Sequence, residues 1–227
     1  MCFSAEVSFT ASAVLTVTGI VAVKKCSSRE QIFFACIPFI FATQQLAEGF
    51  LWLSFSHAEF EKFRQLSMFL FLVFAQVIWP SWVPFSVLMV EKNPARKIVL
   101  KAFLLVGITL SVYVSYGLFV YTAIAFPDSH HLKYELGFPL AHSLVAALFY
   151  FIPTVLSCIV SSAKRMTSLG LIIFGSYIIA RIFFNEYALS VWCFFSAIIS
   201  ITVIYVVMLM RPLSTGNTER SIHAMEG

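Results

Sequence analysis

Residues 44–52 read Gln-Gln-Leu-Ala-Glu-Gly-Phe-Leu-Trp and set two amides and a carboxylate inside an otherwise apolar stretch. Gln44, Glu48 and Trp52 recur at i, i+4 and i+8, which on a helix gathers amide, carboxylate and indole on one stripe. Gln45 lies on the adjoining flank, and Gly49 leaves room beside Glu48 for a neighbouring helix to approach closely. A carboxylate in hydrocarbon costs about 2.5–3.5 kcal/mol on insertion scales, so this stripe is expected to face protein. The chemistry open to it is that of a buried acid: holding a cation, taking up a proton or ligating a metal.

Other candidates are Glu6, Tyr116, His142, Arg181, Trp192 and Cys193, and most of them have a plainer role to set beside a functional one. Ser4 can cap a helix that starts beside it, and a carboxylate at Glu6 in the first turn suits the positive end of the helix dipole. His142 is the histidine placed within a span; it can bind a ligand or be a satisfied interfacial residue. Arg181 can snorkel to the headgroups, or neutralise Glu48 or an anionic ligand. Trp52, Trp79, Trp82 and Trp192 suit packing or an interfacial belt better than a cage. The five cysteines show no CxxC; Cys26, Cys36 and Cys158 are expected as free thiols, while Cys2 and Cys193 fall on one side, where a disulfide can form.

The elements that must position these groups follow from composition. Of 227 residues, 60% are hydrophobic and 11% charged, with 25 Phe and a mean hydropathy of +0.90. Soluble domains carry about 25% charged residues. The expectation is an all-α polytopic membrane protein. Seven apolar runs are long enough to cross about 30 Å of hydrocarbon: residues 4–23, 33–55, 66–90, 100–125, 138–160, 168–185 and 188–210. Short polar connections leave no room for a soluble domain, so residues 1–210 read as one seven-helix domain and 211–227 as a polar, disordered tail. Pro80, Pro84 and Pro153 are expected to kink the third and fifth helices and open a cavity.

Of the 15 Lys and Arg, 11 fall in the first, third and fifth loops and the tail, and 4 in the other connections and the helix ends beside them. The positive-inside rule then puts the N-terminus outside and the C-terminus in the cytoplasm. No cleaved signal peptide is expected, because Lys24 and Lys25 follow the first apolar core instead of preceding it. In this orientation Glu6, Glu48, His142, Arg181 and Cys193 all lie toward the outer side, and Glu48 sits roughly 10 Å below it at 1.5 Å per residue.

HExxH, GxSxG and phosphate-cradling glycine loops do not occur. Asp128 is the one aspartate, which weakens a seven-helix zinc hydrolase. The opening Met-Cys-Phe-Ser-Ala-Glu-Val-Ser-Phe, the stretch at 44–52 and the late Val-Trp-Cys-Phe-Phe-Ser-Ala together resemble a family of small bacterial membrane proteins of unknown function. That likeness implies an inner-membrane setting and points to Cys2, Ser4, Gln45, Glu48, Trp52, Trp192 and Cys193 without giving them roles. The functional expectation is an outward-facing polar pocket that binds or transports a small polar or cationic ligand, with Glu48 as its charge. The alternative is a membrane-embedded, metal-assisted enzyme using Glu6, Glu48 and His142. The bilayer is the expected partner and nucleic acid is not; the residues name no cofactor.

Overall fold

The structure, a computed structural model, describes residues 4–128, 131–141, 143–183, 187 and 195–210. Within them seven helical rods follow one another: α1 (Ala5–Lys24), α2 (Glu30–Ser56), α3 (Ala58–Val90), α4 (Pro94–Val120), α5 (Leu144–Val160), α6 (Met166–Phe183) and α7 (Ser196–Leu209). α1 to α4 and α6 are long and apolar enough to cross a membrane; α5 and α7 are shorter apolar helices. The helix starts are written locally. Ser4 Oγ accepts from Val7 N at 3.4 Å, and Asn93 Oδ1 accepts from Ala95 N at 3.0 Å ahead of a helix that opens on Pro94.

Proline shapes two of the rods. α3 begins as a 3₁₀ turn at Ala58–Phe63 and widens to a π segment at Val73–Ile78, just before Pro80. α5 carries a second π segment, Ile152–Leu156, around Pro153. A proline has no N–H to return to the turn before it, so carbonyls there need other donors. Tyr150 Oη donates to the Ala75 carbonyl at 2.7 Å, and Ser111 Oγ donates to the Val77 carbonyl at 2.6 Å. These two bonds tie α3 to α5 and α4. Gly107 on α4 completes the junction, because a Cβ there would lie 1.8 Å from the Pro80 carbonyl oxygen.

One expectation is corrected. The fourth apolar run does not stay helical to residue 125; α4 stops at Val120, and an antiparallel hairpin follows, β1 (Ala123–Asp128) with β2 (His131–Leu136), Ala123 opposite Leu136 and Asp128 opposite His131. The reason is a change of period. In His-Leu-Lys-Tyr-Glu-Leu the apolar residues alternate, so Leu132, Tyr134 and Leu136 are buried on one strand face. That face seats on the bundle end, with Tyr134 stacked on Phe71 at 4.7 Å. The chain is otherwise mostly helical.

Two cores result. One, toward the hairpin, joins Leu51, Phe71, Leu72 and Val114 to Leu132 and Tyr134. The other, toward the lysine- and arginine-rich loops, joins Phe34, Val87, Leu100, Cys158, Met166 and Val203. α2 packs against α1, α3 and α7, whereas α6 packs chiefly on α5 and α7. The tail at 211–227 lies outside the described residues.

Candidate functional site

α2 carries Glu48 into the bundle interior, where it has 0% exposure. Gln45 Nε2 donates to Glu48 Oε2 at 3.3 Å. Gln44, equally enclosed, turns the other way, its Oε1 accepting from Trp79 Nε1 on α3 at 3.0 Å. Two adjacent amides therefore serve two different neighbours: one the carboxylate, the other the indole of α3. Trp52 is half-buried on the same stripe, packed against the hairpin-side core.

Buried hydroxyls lie on the neighbouring helices. Ser8 and Ser12 on α1 and Ser196 and Ser200 on α7 are all buried, on the two helices that flank α2. Ser12 Oγ donates to the Ala42 carbonyl at 2.8 Å, whereas Ser8 Oγ and Ser200 Oγ have no hydrogen-bond partner among the described residues. A hydroxyl shut away from water with no partner is costly, so it marks a place where a ligand or water gains by binding. Sequence reading passed over these serines. Their signal was present as hydroxyls four apart within apolar spans, Ser8 with Ser12 and Ser196 with Ser200.

Beside this level, a cavity reaches from Gln44 and Trp79 toward the other end of the bundle. Ile37, Phe41, Val83, Thr154, Cys158 and Leu169 help to line it. Its volume is ≈ 40 Å³, against the roughly 10–15 Å³ that one water needs. Its walls are mostly apolar, with Gln44 and Thr154 supplying polar groups.

The remaining predicted residues are not gathered here. Glu6 is exposed in the first turn of α1, behind the Ser4 cap, and so matches the plainer reading of a first-turn acid. Tyr116 is 60% exposed, because its face of α4 points away from the bundle. Arg181 is exposed in the last turn of α6, a helix that packs chiefly on α5 and α7; the described residues contain no Glu48–Arg181 ion pair. His142, Trp192, Cys193 and Cys2 lie outside the described residues. Toward the hairpin, Leu51 sits fully buried one turn beyond Glu48, within the core that the hairpin covers.

A second buried acid was not anticipated. Glu91 ends α3 and is almost fully buried. Its Oε1 accepts from Lys92 N at 2.9 Å and Asn93 N at 2.8 Å, and its Oε2 from Ser161 Oγ at 2.9 Å and Ser162 N at 2.6 Å; Ser162 Oγ also donates to it. Burial pushes its carboxyl up, but the hydrogen bonds from Ser162, Asn93 and Ser161 outweigh burial and bring it down to about 2. The carboxylate thus clasps the α3–α4 loop to the α5–α6 loop. Sequence gave only a faint sign of it: one acid directly before Lys-Asn-Pro at a helix end.

Among the described residues, no three of His, Cys, Asp or Glu come together to hold a metal ion. The arrangement around Glu48 can accept a proton or hold a small cation with oxygen ligands, and the Gln45 amide orients the carboxylate. Fold and site together define a helical bundle with five apolar helices of membrane-crossing length, a buried carboxylate–amide pair in its interior and buried hydroxyls on the flanking helices. The chain belongs to the family of unknown function DUF6629, which it matches over residues 1–218. No curated protein and no solved structure matches it. The resemblance read from its opening, middle and late stretches was accordingly to an uncharacterised family.

Proposed function

We propose that this protein binds, and carries into or across a bacterial inner membrane, a small cation or small polar ligand, with Glu48 as the principal charge. The bundle crosses the membrane seven times in this reading, with the hairpin end outside. The observation that carries it is the complete burial of Glu48 in an apolar bundle, beside the buried amides of Gln44 and Gln45 and between two helices that bury serine hydroxyls. An ionisable group inside a membrane bundle is expensive to keep, and such groups mark ion and substrate pathways. The Ser8 and Ser200 hydroxyls, which have no hydrogen-bond partner among the described residues, are oxygen ligands of the kind a desolvated cation requires. Gln44 links this level to the cavity, which leads on toward the basic loops and has room for water.

The test is a thermal-shift titration of the purified protein with Na⁺, K⁺, guanidinium and choline. A probe that binds the folded state should stabilise it by about 2.7 kcal/mol at one hundred times its Kd. Glu48→Gln should fold and lose that stabilisation, and Ser8→Ala or Ser200→Ala should weaken it. If no probe stabilises the protein in a Glu48-dependent way, the reading fails. A stoichiometric metal lost in both Glu48→Gln and His142→Ala would replace it with a metal-assisted enzyme.

A further inference from the structure

We propose that the two loops joined by Glu91, residues 91–97 and 161–165, form a seat for the phosphate headgroup of an anionic phospholipid. The proposal rests on the membrane reading of the bundle and is independent of any ligand at Glu48. Lys92, Arg96, Lys97, Lys164 and Arg165 lie on these loops and at the start of α4. Basic residues at this end would by themselves be no more than a topology signal. Three observations make them a built surface.

The first is how the local acid is neutralised. Glu91 is satisfied by two serine hydroxyls and three backbone N–H groups, not by a lysine or arginine. The ion pairs among the described residues, Arg64 with Glu61 and Lys133 with Glu135, are both at the hairpin end. The cations of the clasped loops therefore keep their charge for something else.

The second is rigidity. Besides the Glu91 clasp, Arg96 Nη1 donates to the Val160 carbonyl at 2.9 Å, which holds the start of α4 against the end of α5. Arg165 has a left-handed backbone, φ 62°, an uncommon conformation for a residue with a side chain. The two loops that carry these cations are thus held side by side before any ligand arrives, which lowers the ordering cost of binding.

The third is what lies beneath. Ile98, Leu105 and Val112 recur every seven residues along α4 and are 71%, 66% and 64% exposed. That apolar stripe begins directly below Arg96 and Lys97, so a headgroup held at the loops would have acyl chains running down the helix. Soluble phosphate has no use for such a stripe, and a diacyl lipid does.

Short-chain phosphatidylglycerol, short-chain phosphatidylcholine and inorganic phosphate would each be titrated into the detergent-solubilised protein, with binding followed by tryptophan fluorescence. Phosphatidylglycerol should bind saturably and at least tenfold tighter than phosphatidylcholine, and inorganic phosphate should not compete at equal phosphate concentration. Each cation removed should weaken binding about fivefold, equivalent to about 1 kcal/mol per Lys or Arg. The Lys164→Ala/Arg165→Asn pair should therefore lose about 25-fold; asparagine tolerates the left-handed backbone. Adding Arg96→Ala should extend the loss further, and if that triple variant does not fold the pair carries the test alone. Lys62→Ala, at the hairpin end, should bind like the unchanged protein. Equal affinity for the two lipids, an unchanged pair variant, or competition by inorganic phosphate would each overturn the proposal.

Discussion

At Glu91, burial and hydrogen bonding oppose each other, and the hydrogen bonds win. A carboxyl whose folded value is depressed contributes stability that is fully present above its unfolded value and lost as pH falls through its folded value. For Glu91 that window runs from 4.5 down to about 2. At about 1.4 kcal/mol per pKa unit the contribution is at most about 3.5 kcal/mol. Glu91→Gln should destabilise the protein at pH 7 and flatten the acid limb of its stability curve between pH 4.5 and 2, as measured by denaturation in detergent. A variant with the same acid limb as the parent would show that the clasp is not made. Two glycines give a second residue-scale contrast. Gly107→Ala must push the α3 backbone away from Pro80 and should cost more than about 3 kcal/mol. Gly175→Ala adds a Cβ that meets nothing within 4 Å and should stabilise α6 by up to about 1 kcal/mol. Thermal denaturation of the two variants side by side checks both.

Elements in this bundle are joined where regular hydrogen bonding is interrupted. The π segments at Val73–Ile78 and Ile152–Leu156 sit next to Pro80 and around Pro153, and carbonyls of the first recruit side chains from neighbouring helices. Pro84, by contrast, sits within a helical stretch. Tyr150→Phe removes the hydroxyl that donates to the Ala75 carbonyl, so it should cost roughly 1–3 kcal/mol for the buried acceptor left behind. A loss well below that, read from the denaturation midpoint, would mean the carbonyl finds another donor. The hairpin is held differently, by apolar contact. Leu132→Ala should cost about 2–5 kcal/mol if β2 truly seats on the core, and almost nothing if the hairpin is loosely docked.

For the molecule as a whole, the proposed seven crossings fix which ends share a face of the membrane. Ala58 and Glu59 are exposed beside the hairpin end, and Lys164 is exposed at the basic end. With α3 to α5 crossing in sequence, Glu59→Cys and Lys164→Cys should react with a membrane-impermeant maleimide from opposite faces, Glu59→Cys from outside. Labelling of both from one face would end the seven-crossing arrangement. The hairpin itself is a poor place for a reporter, because one of its faces is core.

Sequence alone was enough for the properties that depend on local composition and period. Apolar runs with few charges located the helices, the Ser4 signal marked the first start, and the i, i+4 spacing of Gln44 and Glu48 predicted that both turn inward, whereas α4 begins at Pro94, six residues ahead of the apolar run that marked it. The hairpin was legible too, in the alternation from Leu132 to Leu136, but a long apolar run directly before it concealed the change of period. What the tertiary structure decided is which helices touch. A carboxylate, an arginine and a tyrosine at one depth look like partners along a sequence, yet Arg181 and Tyr116 lie on exposed helix faces while Ser8 and Ser200 join the interior. Depth follows from counting residues from a helix end. Azimuth depends on how seven rods pack, and that is set by long-range fits such as Gly107 against Pro80 and Trp79 against Gln44. The Glu91 clasp was hidden for the same reason: its partners at Ser161 and Ser162 are 70 and 71 residues away, and no local pattern encodes a meeting of two loops.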